Sequence, residues 1–109
     1  MTIYRLTDEN FDEVVKNNAV VIVDFWADWC STCLSFAPIY VQIADLHPEV
    51  IFAKVNSQVN QIVSAQFRIQ SIPTIIGFKK GREVHRKPGA ISGQMLEEVI
   101  EKIKNSVPD

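Results

Sequence analysis

Apolar and polar positions follow two rhythms along this chain, and together they predict nine elements. Ile3-Tyr4-Arg5-Leu6 reads as a short strand. Thr7 can then cap a helix from Asp8 to about Asn17, with Phe11, Val14 and Val15 turned inward. Asp8 and Glu9 fall in its first turn, where the helix dipole favours acids. Val20 to Trp26 is β-branched and aromatic, nearly all apolar and without alternation, which marks a central strand covered on both faces. A longer helix is expected to begin at Cys30 and Cys33 and to end near Leu46, before Pro48. Pro38 inside it removes one backbone hydrogen bond and should kink it.

Val50 to Asn56 reads as another buried strand, and Gln58 to Phe67 as a short helix with Ile62, Val63 and Phe67 inward. Thr74 to Lys79, a Lys80-Gly81 turn and Arg82 to Lys87 form a hairpin. Ser92 caps the last helix, whose inner face carries Met95, Leu96, Val99, Ile100 and Ile103. The order is βαβαβα followed by ββα, without repeats, low-complexity segments or linkers. It implies one α/β domain over residues 1–109, a mixed sheet with helices on both faces.

Composition narrows the classes. A chain of 109 residues supports one hydrophobic core, and 47% hydrophobic with 22% charged residues excludes disorder. Eleven Lys and Arg against 13 Asp and Glu leave a net charge of −2, which argues against nucleic acid and anionic membrane surfaces. The first ten residues lack an apolar run after a basic start, and the longest apolar stretch, Ala19 to Ala27, is interrupted by Asp24. It falls far short of the roughly 20 residues that span a bilayer. A cytoplasmic location is expected, where thiols are kept reduced.

Two cysteines are too few for a disulfide scaffold, yet they stand at i and i+3, Cys30 and Cys33. On the first turn of a helix such a pair shares a face and can close a disulfide with little backbone movement. A sulfur at the helix N-terminus faces unpaired N–H groups, so Cys30 should ionise readily and act as nucleophile. Cys33, one turn further in, suits a resolving role. The competing reading is half of a zinc site, for which His47 and His85 are the only histidines and stand too far apart. Asp24, a lone carboxylate in a buried strand, should have a raised pKa and can serve Cys33 as general base. Alternatively it merely pairs with Lys54, which would lower its pKa.

Asp24-Phe25-Trp26-Ala27-Asp28-Trp29-Cys30-Ser31-Thr32-Cys33, with Ala37-Pro38 beyond, resembles the active-site segment of the thioredoxin family. Phe67-Arg68-Ile69-Gln70-Ser71-Ile72-Pro73-Thr74, Phe78-Lys79-Lys80-Gly81 and Gly89-Ala90 resemble its other landmarks, in order and across nearly the whole chain. The resemblance implies a thioredoxin-like three-layer α/β fold and a thiol–disulfide oxidoreductase that reduces protein disulfides through Cys30 and Cys33. It implies that Asp24, with Lys54 near it, assists Cys33, and that the Ile72-Pro73 bond is cis. Trp29, Ile72, Pro73, Gly89 and Ala90 would form the substrate groove, with the backbone of Ile72 pairing to an extended peptide. No cofactor or metal is expected, and the partners would be protein disulfides and a reductase such as a thioredoxin reductase. A monomer is expected.

Three departures from the family pattern stand out. Ser31-Thr32 replaces the usual Gly-Pro, Leu34 stands where a basic residue is common, and Asn56-Ser57-Gln58 replaces a usually acidic stretch. Ser31 and Thr32 bring hydroxyl and backbone donors toward the sulfur and so bear on redox tuning. The alternative of another class is a non-catalytic peptide-binding or metal-binding module. His85 is expected to face solvent, His47 to complement a helix C-terminus, and Lys79, Lys80 and Arg82 to form a solvated hairpin tip.

Overall fold

The apolar run at Val20–Trp26 becomes the middle strand of a five-stranded sheet. The computed structural model describes residues 3–108. In chain order the elements are β1 (Tyr4–Leu6), α1 (Phe11–Lys16), β2 (Val20–Trp26), α2 (Ser31–Ala44), β3 (Ile51–Asn56), α3 (Gln61–Gln66), β4 (Thr74–Lys79), β5 (Arg82–Pro88) and α4 (Gly93–Asn105). The strands lie in the order β1-β3-β2-β4-β5. β1, β3 and β2 run parallel, β4 adds antiparallel to β2, and β5 adds antiparallel to β4.

Alternate side chains of β2 serve two cores. Val21, Val23 and Phe25 pack with Phe11 and Val15 of α1 and Val63 of α3. On the opposite face Ile22 packs with Phe36 and Tyr40 of α2 and with Leu96, Ile100 and Ile103 of α4. The three-layer fold is thus the observed one, and it needs a strand that is apolar on both sides. α4 lies so close to the sheet that a Cβ at Gly77 would overlap the Ile103 side chain.

Several boundaries and facings differ from the sequence pattern. Thr7 caps a turn, accepting at Oγ1 from the N–H groups of Glu9 (3.2 Å) and Asn10 (3.3 Å), and α1 starts only at Phe11. Asp8 therefore lies outside α1 and caps α3 instead: its Oδ1 accepts from Val63 N at 2.8 Å, while its own N–H donates to Asn60 Oδ1 at 3.1 Å. α3 starts at Gln61 rather than Gln58, which turns Val63 and Ser64 inward and leaves Ile62 73% exposed. α2 ends at Ala44, short of Leu46, and Met95 lies on the exposed edge of α4.

The polar residues at the chain's margins are also more engaged than expected. Lys79 is no free hairpin cation, because its Nζ donates to the carbonyls of Lys104 (2.6 Å) and Ser106 (2.8 Å) and so caps the C-terminal end of α4. His85 is half-buried rather than solvent-facing; burial, then Lys102 and Lys87, hold it below its ordinary range. His47 bridges elements, with Nε2 2.6 Å from Glu97 Oε1 and Nδ1 3.0 Å from Lys104 Nζ.

Candidate active site

The chain leaves β2 at Trp26, turns through Ala27, Asp28 and Trp29, and enters α2 with Cys30 as the N-cap residue. Cys30 N donates to Ala27 O at 3.2 Å, which closes that turn. The Cys30 Sγ takes the place an oxygen usually holds at a helix start and accepts from Cys33 N at 3.2 Å. Cys30 and Cys33 form a disulfide, with Cα atoms 5.2 Å apart. The Thr32 hydroxyl lies 3.3 Å from Cys30 Sγ, and the Ile72 carbonyl lies 3.9 Å from it. Ser31 is exposed beside them.

The two sulfurs face different surroundings. Cys33 is 2% exposed and lines a cavity of about 170 Å³ with Asp24, Lys54, Leu34 and Tyr40. Asp24 is 4% exposed, and its Oδ1 has no hydrogen-bond partner among the described residues. Burial pushes its pKa from 3.8 up to about 7, and the Lys54 ammonium opposes this only in part. Asp24 and Lys54 are register partners on β2 and β3, but among the described residues they make no ion pair. Lys54 Nζ instead sits 5.1 Å from the centre of the Trp26 ring. Desolvation, rather than pairing, sets the state of this acid.

Tyr40 belongs to the same cavity and escaped the sequence reading. Its buried hydroxyl lies 2.8 Å from Ala53 O and 3.0 Å from Ile22 O, joining α2 to both strands that carry Asp24 and Lys54. Burial, with the Asp24 charge behind it, holds the phenol well above its ordinary pKa. The signal for it was a phenol two helical turns after Cys33, on the apolar inner face of α2.

Cys30 is itself 6% exposed, and the surface opens beside it at Trp29 and Ile72. Trp29 is 71% exposed and, with Ala27, Ile69 and Ile72, walls a groove of about 250 Å³. Ser57, Gln58, Gln70 and Ser71 supply its polar margin. The Ile72–Pro73 peptide is cis, and Pro73 O accepts from Gly89 N at 2.8 Å. Gly89 has φ of +90°, a conformation that favours glycine. Gly89 is thereby held to Pro73, but Pro73, Gly89 and Ala90 do not line the groove that Trp29 and Ile72 share.

A disulfide across the first turn of a helix, with a proton-holding carboxyl in the cavity that one cysteine lines and an open groove beside the other, is a site for thiol–disulfide exchange. The thioredoxin family model matches residues 2–102. A thioredoxin from Alicyclobacillus acidocaldarius is 42% identical over 93 residues, covering 84% of this chain and 89% of that protein. A thioredoxin from Pyropia yezoensis is 36% identical over 104 residues, covering 94% and 97%. Among solved structures, thioredoxin from Plasmodium falciparum superposes with a TM-score of 0.87 at 33% identity, covering 92% of this chain and 98% of its own.

The chain belongs to the thioredoxin family and is a thiol–disulfide oxidoreductase of protein disulfides. Family membership and the Cys30–Cys33 disulfide favour this over a non-catalytic peptide-binding or metal-binding module. Among the described residues no helix is long and apolar enough to cross a membrane.

Proposed function

We propose that residues 1–109 form one thioredoxin-like domain that works as a cytoplasmic monomer, with Cys30 the attacking thiol and Cys33 the resolving one. The observation that carries this is the asymmetry of the pair. Cys30 Sγ stands at the α2 N-terminus, 3.9 Å from Ile72 O, while Cys33 faces the cavity that holds Asp24. In the reduced protein the Cys30 thiolate attacks one sulfur of a substrate disulfide. A Cys30–substrate bond forms, the substrate S–S bond breaks, and the departing thiolate takes up a proton. Asp24 then accepts the Cys33 proton, and the Cys33 sulfur attacks Cys30 Sγ. The Cys30–Cys33 bond forms, the second substrate sulfur leaves, and two electrons have passed to the substrate. A reductase of the thioredoxin reductase type returns the pair to the dithiol.

Lys54 supports the acid across the strand pair. Trp29, Ile72 and Pro73 meet the substrate, and Gly89 and Ala90 shape the loop that holds Pro73. Ser31 and Thr32 tune the potential, since the Thr32 hydroxyl stands within reach of Cys30 Sγ. A charge-assisted bond of about 1.5–3 kcal/mol converts to tens of millivolts, because about 1.4 kcal/mol is about 30 mV for two electrons.

Insulin reduction by dithiothreitol, followed by turbidity, tests the assignment. Cys30→Ser abolishes catalysis, whereas Cys33→Ser accumulates a mixed disulfide with substrate; the opposite pattern reverses the roles. Ser31→Gly with Thr32→Pro makes the protein more reducing by tens of millivolts against glutathione. An unchanged potential removes the dipeptide from the tuning role.

A further inference from the structure

We propose that the groove beside Cys30 takes uncharged substrate segments, whose residues next to the disulfide carry amide, hydroxyl or apolar side chains, and that it disfavours acidic and basic ones. The inference rests on Cys30 being the attacking thiol. The groove includes Ile72, whose carbonyl lies 3.9 Å from Cys30 Sγ, so residues flanking a disulfide under attack come to lie in it. None of its lining residues carries a charge. Trp29 and Ile72 offer apolar area, and Ser57, Gln58 and Gln70 offer hydrogen-bonding groups.

Ser57 makes the groove more than a neutral surface. Its Oγ is buried and has no hydrogen-bond partner among the described residues. Its backbone is held in place, because Ser57 N donates to Trp26 O at 2.8 Å. A buried hydroxyl left unpaired is costly, and rotation of the Ser57 side chain toward the groove whose wall it forms lets it pair with a substrate amide or hydroxyl. The neutrality is local. Arg5, Asp28 and Lys54 line a separate depression of about 330 Å³. A charged substrate side chain entering the Trp29 groove loses water without meeting an opposite charge. Leu34, 51% exposed beside Cys33, likewise offers no charge to a partner.

Three synthetic peptides test this, each closed by one disulfide and differing only in the residues beside the cysteines: Gln and Ser, Asp, or Lys. The full chain reduces them with dithiothreitol as electron source. The Gln/Ser peptide should show kcat/KM roughly tenfold above either charged peptide. Ser57→Ala should lower the value for the Gln/Ser peptide roughly fivefold. Gln58→Lys should raise that for the Asp peptide about threefold at low salt, a gain that fades as salt rises. Equal rates on the three peptides, or a preference for a charged one, overturn the groove's selectivity while leaving Cys30 in its role. Absence of Cys30-dependent reduction of any peptide and of insulin overturns the reading beneath it.

Discussion

Phe25 and Asp24 are neighbours on β2 and point to opposite faces of one sheet, and the two faces are built on different terms. On the α1–α3 side the rings of Phe11, Phe25, Phe67 and Phe78 form a cluster with centroids 5.2 to 6.4 Å apart at the heart of an apolar core. On the α2–α4 side the same strand presents Asp24 to a cavity shared with Cys33 and Tyr40. The first face contributes hydrophobic stabilisation and, among the described residues, buries no ionisable side chain. The second holds a carboxyl at a cost and thereby gains a group that exchanges protons near neutrality. In this molecule the aromatic cluster and the buried carboxyl are separated by the thickness of a strand.

The largest effect that tests this division comes from the aromatic face. Phe25→Ala should destabilise the fold by about 3–5 kcal/mol, seen in the denaturant midpoint. A loss under about 1 kcal/mol would mean that the cluster is not the anchor.

The neighbouring residue should respond with the opposite sign. The folded-state pKa of Asp24, about 7, lies above the ordinary 3.8, so the native state holds this proton more tightly than the unfolded chain does. The associated stability is complete at acid pH and is lost as pH rises through that window. Asp24→Asn should therefore gain little near pH 4 and up to about 4 kcal/mol near pH 8. It should also slow the resolving step near neutrality. Equal gains at both pH values would break the ionisation account, and an unchanged resolving rate would remove Asp24 as base.

Smaller changes probe how each face is closed. Gly77→Ala places a methyl against Ile103 and should cost about 1–3 kcal/mol. A neutral result would show that α4 shifts freely over the sheet. Asp8→Ala removes the cap that α3 borrows from the β1–α1 turn, and should cost about 1 kcal/mol with exchange protection lost first at Val63. Unaltered protection there would mean that α3 needs no borrowed cap.

Much of the site was legible because its signals are local. Cys30 and Cys33 are one helical turn apart, and Asp24 stands out as the only ionisable residue in Val20–Trp26. The roles proposed for them depend on spacing and on burial, both of which a strand-turn-helix pattern carries. Tyr40 was not legible, because its hydroxyl finds partners 13 and 18 positions away. Asp8 misled for the same reason. An acid after Thr7 suits a helix start, but its actual partner is α3, 55 positions on in the case of Val63.

By itself the sequence determined the order of elements, the two-sided burial of β2 and the cysteine pair with its buried acid. Those follow from periodicity and from the cost of placing a charge among apolar residues. Only the tertiary structure decided which of two opposed forces sets Asp24, desolvation or the Lys54 charge. It also set the ends of α1 and α3 and the neutral groove that Ser57, Gln70 and Trp29 share. Each of these depends on distances between residues far apart in the chain, and such distances exist only once the sheet has brought β2, β3 and the Ile72 loop side by side.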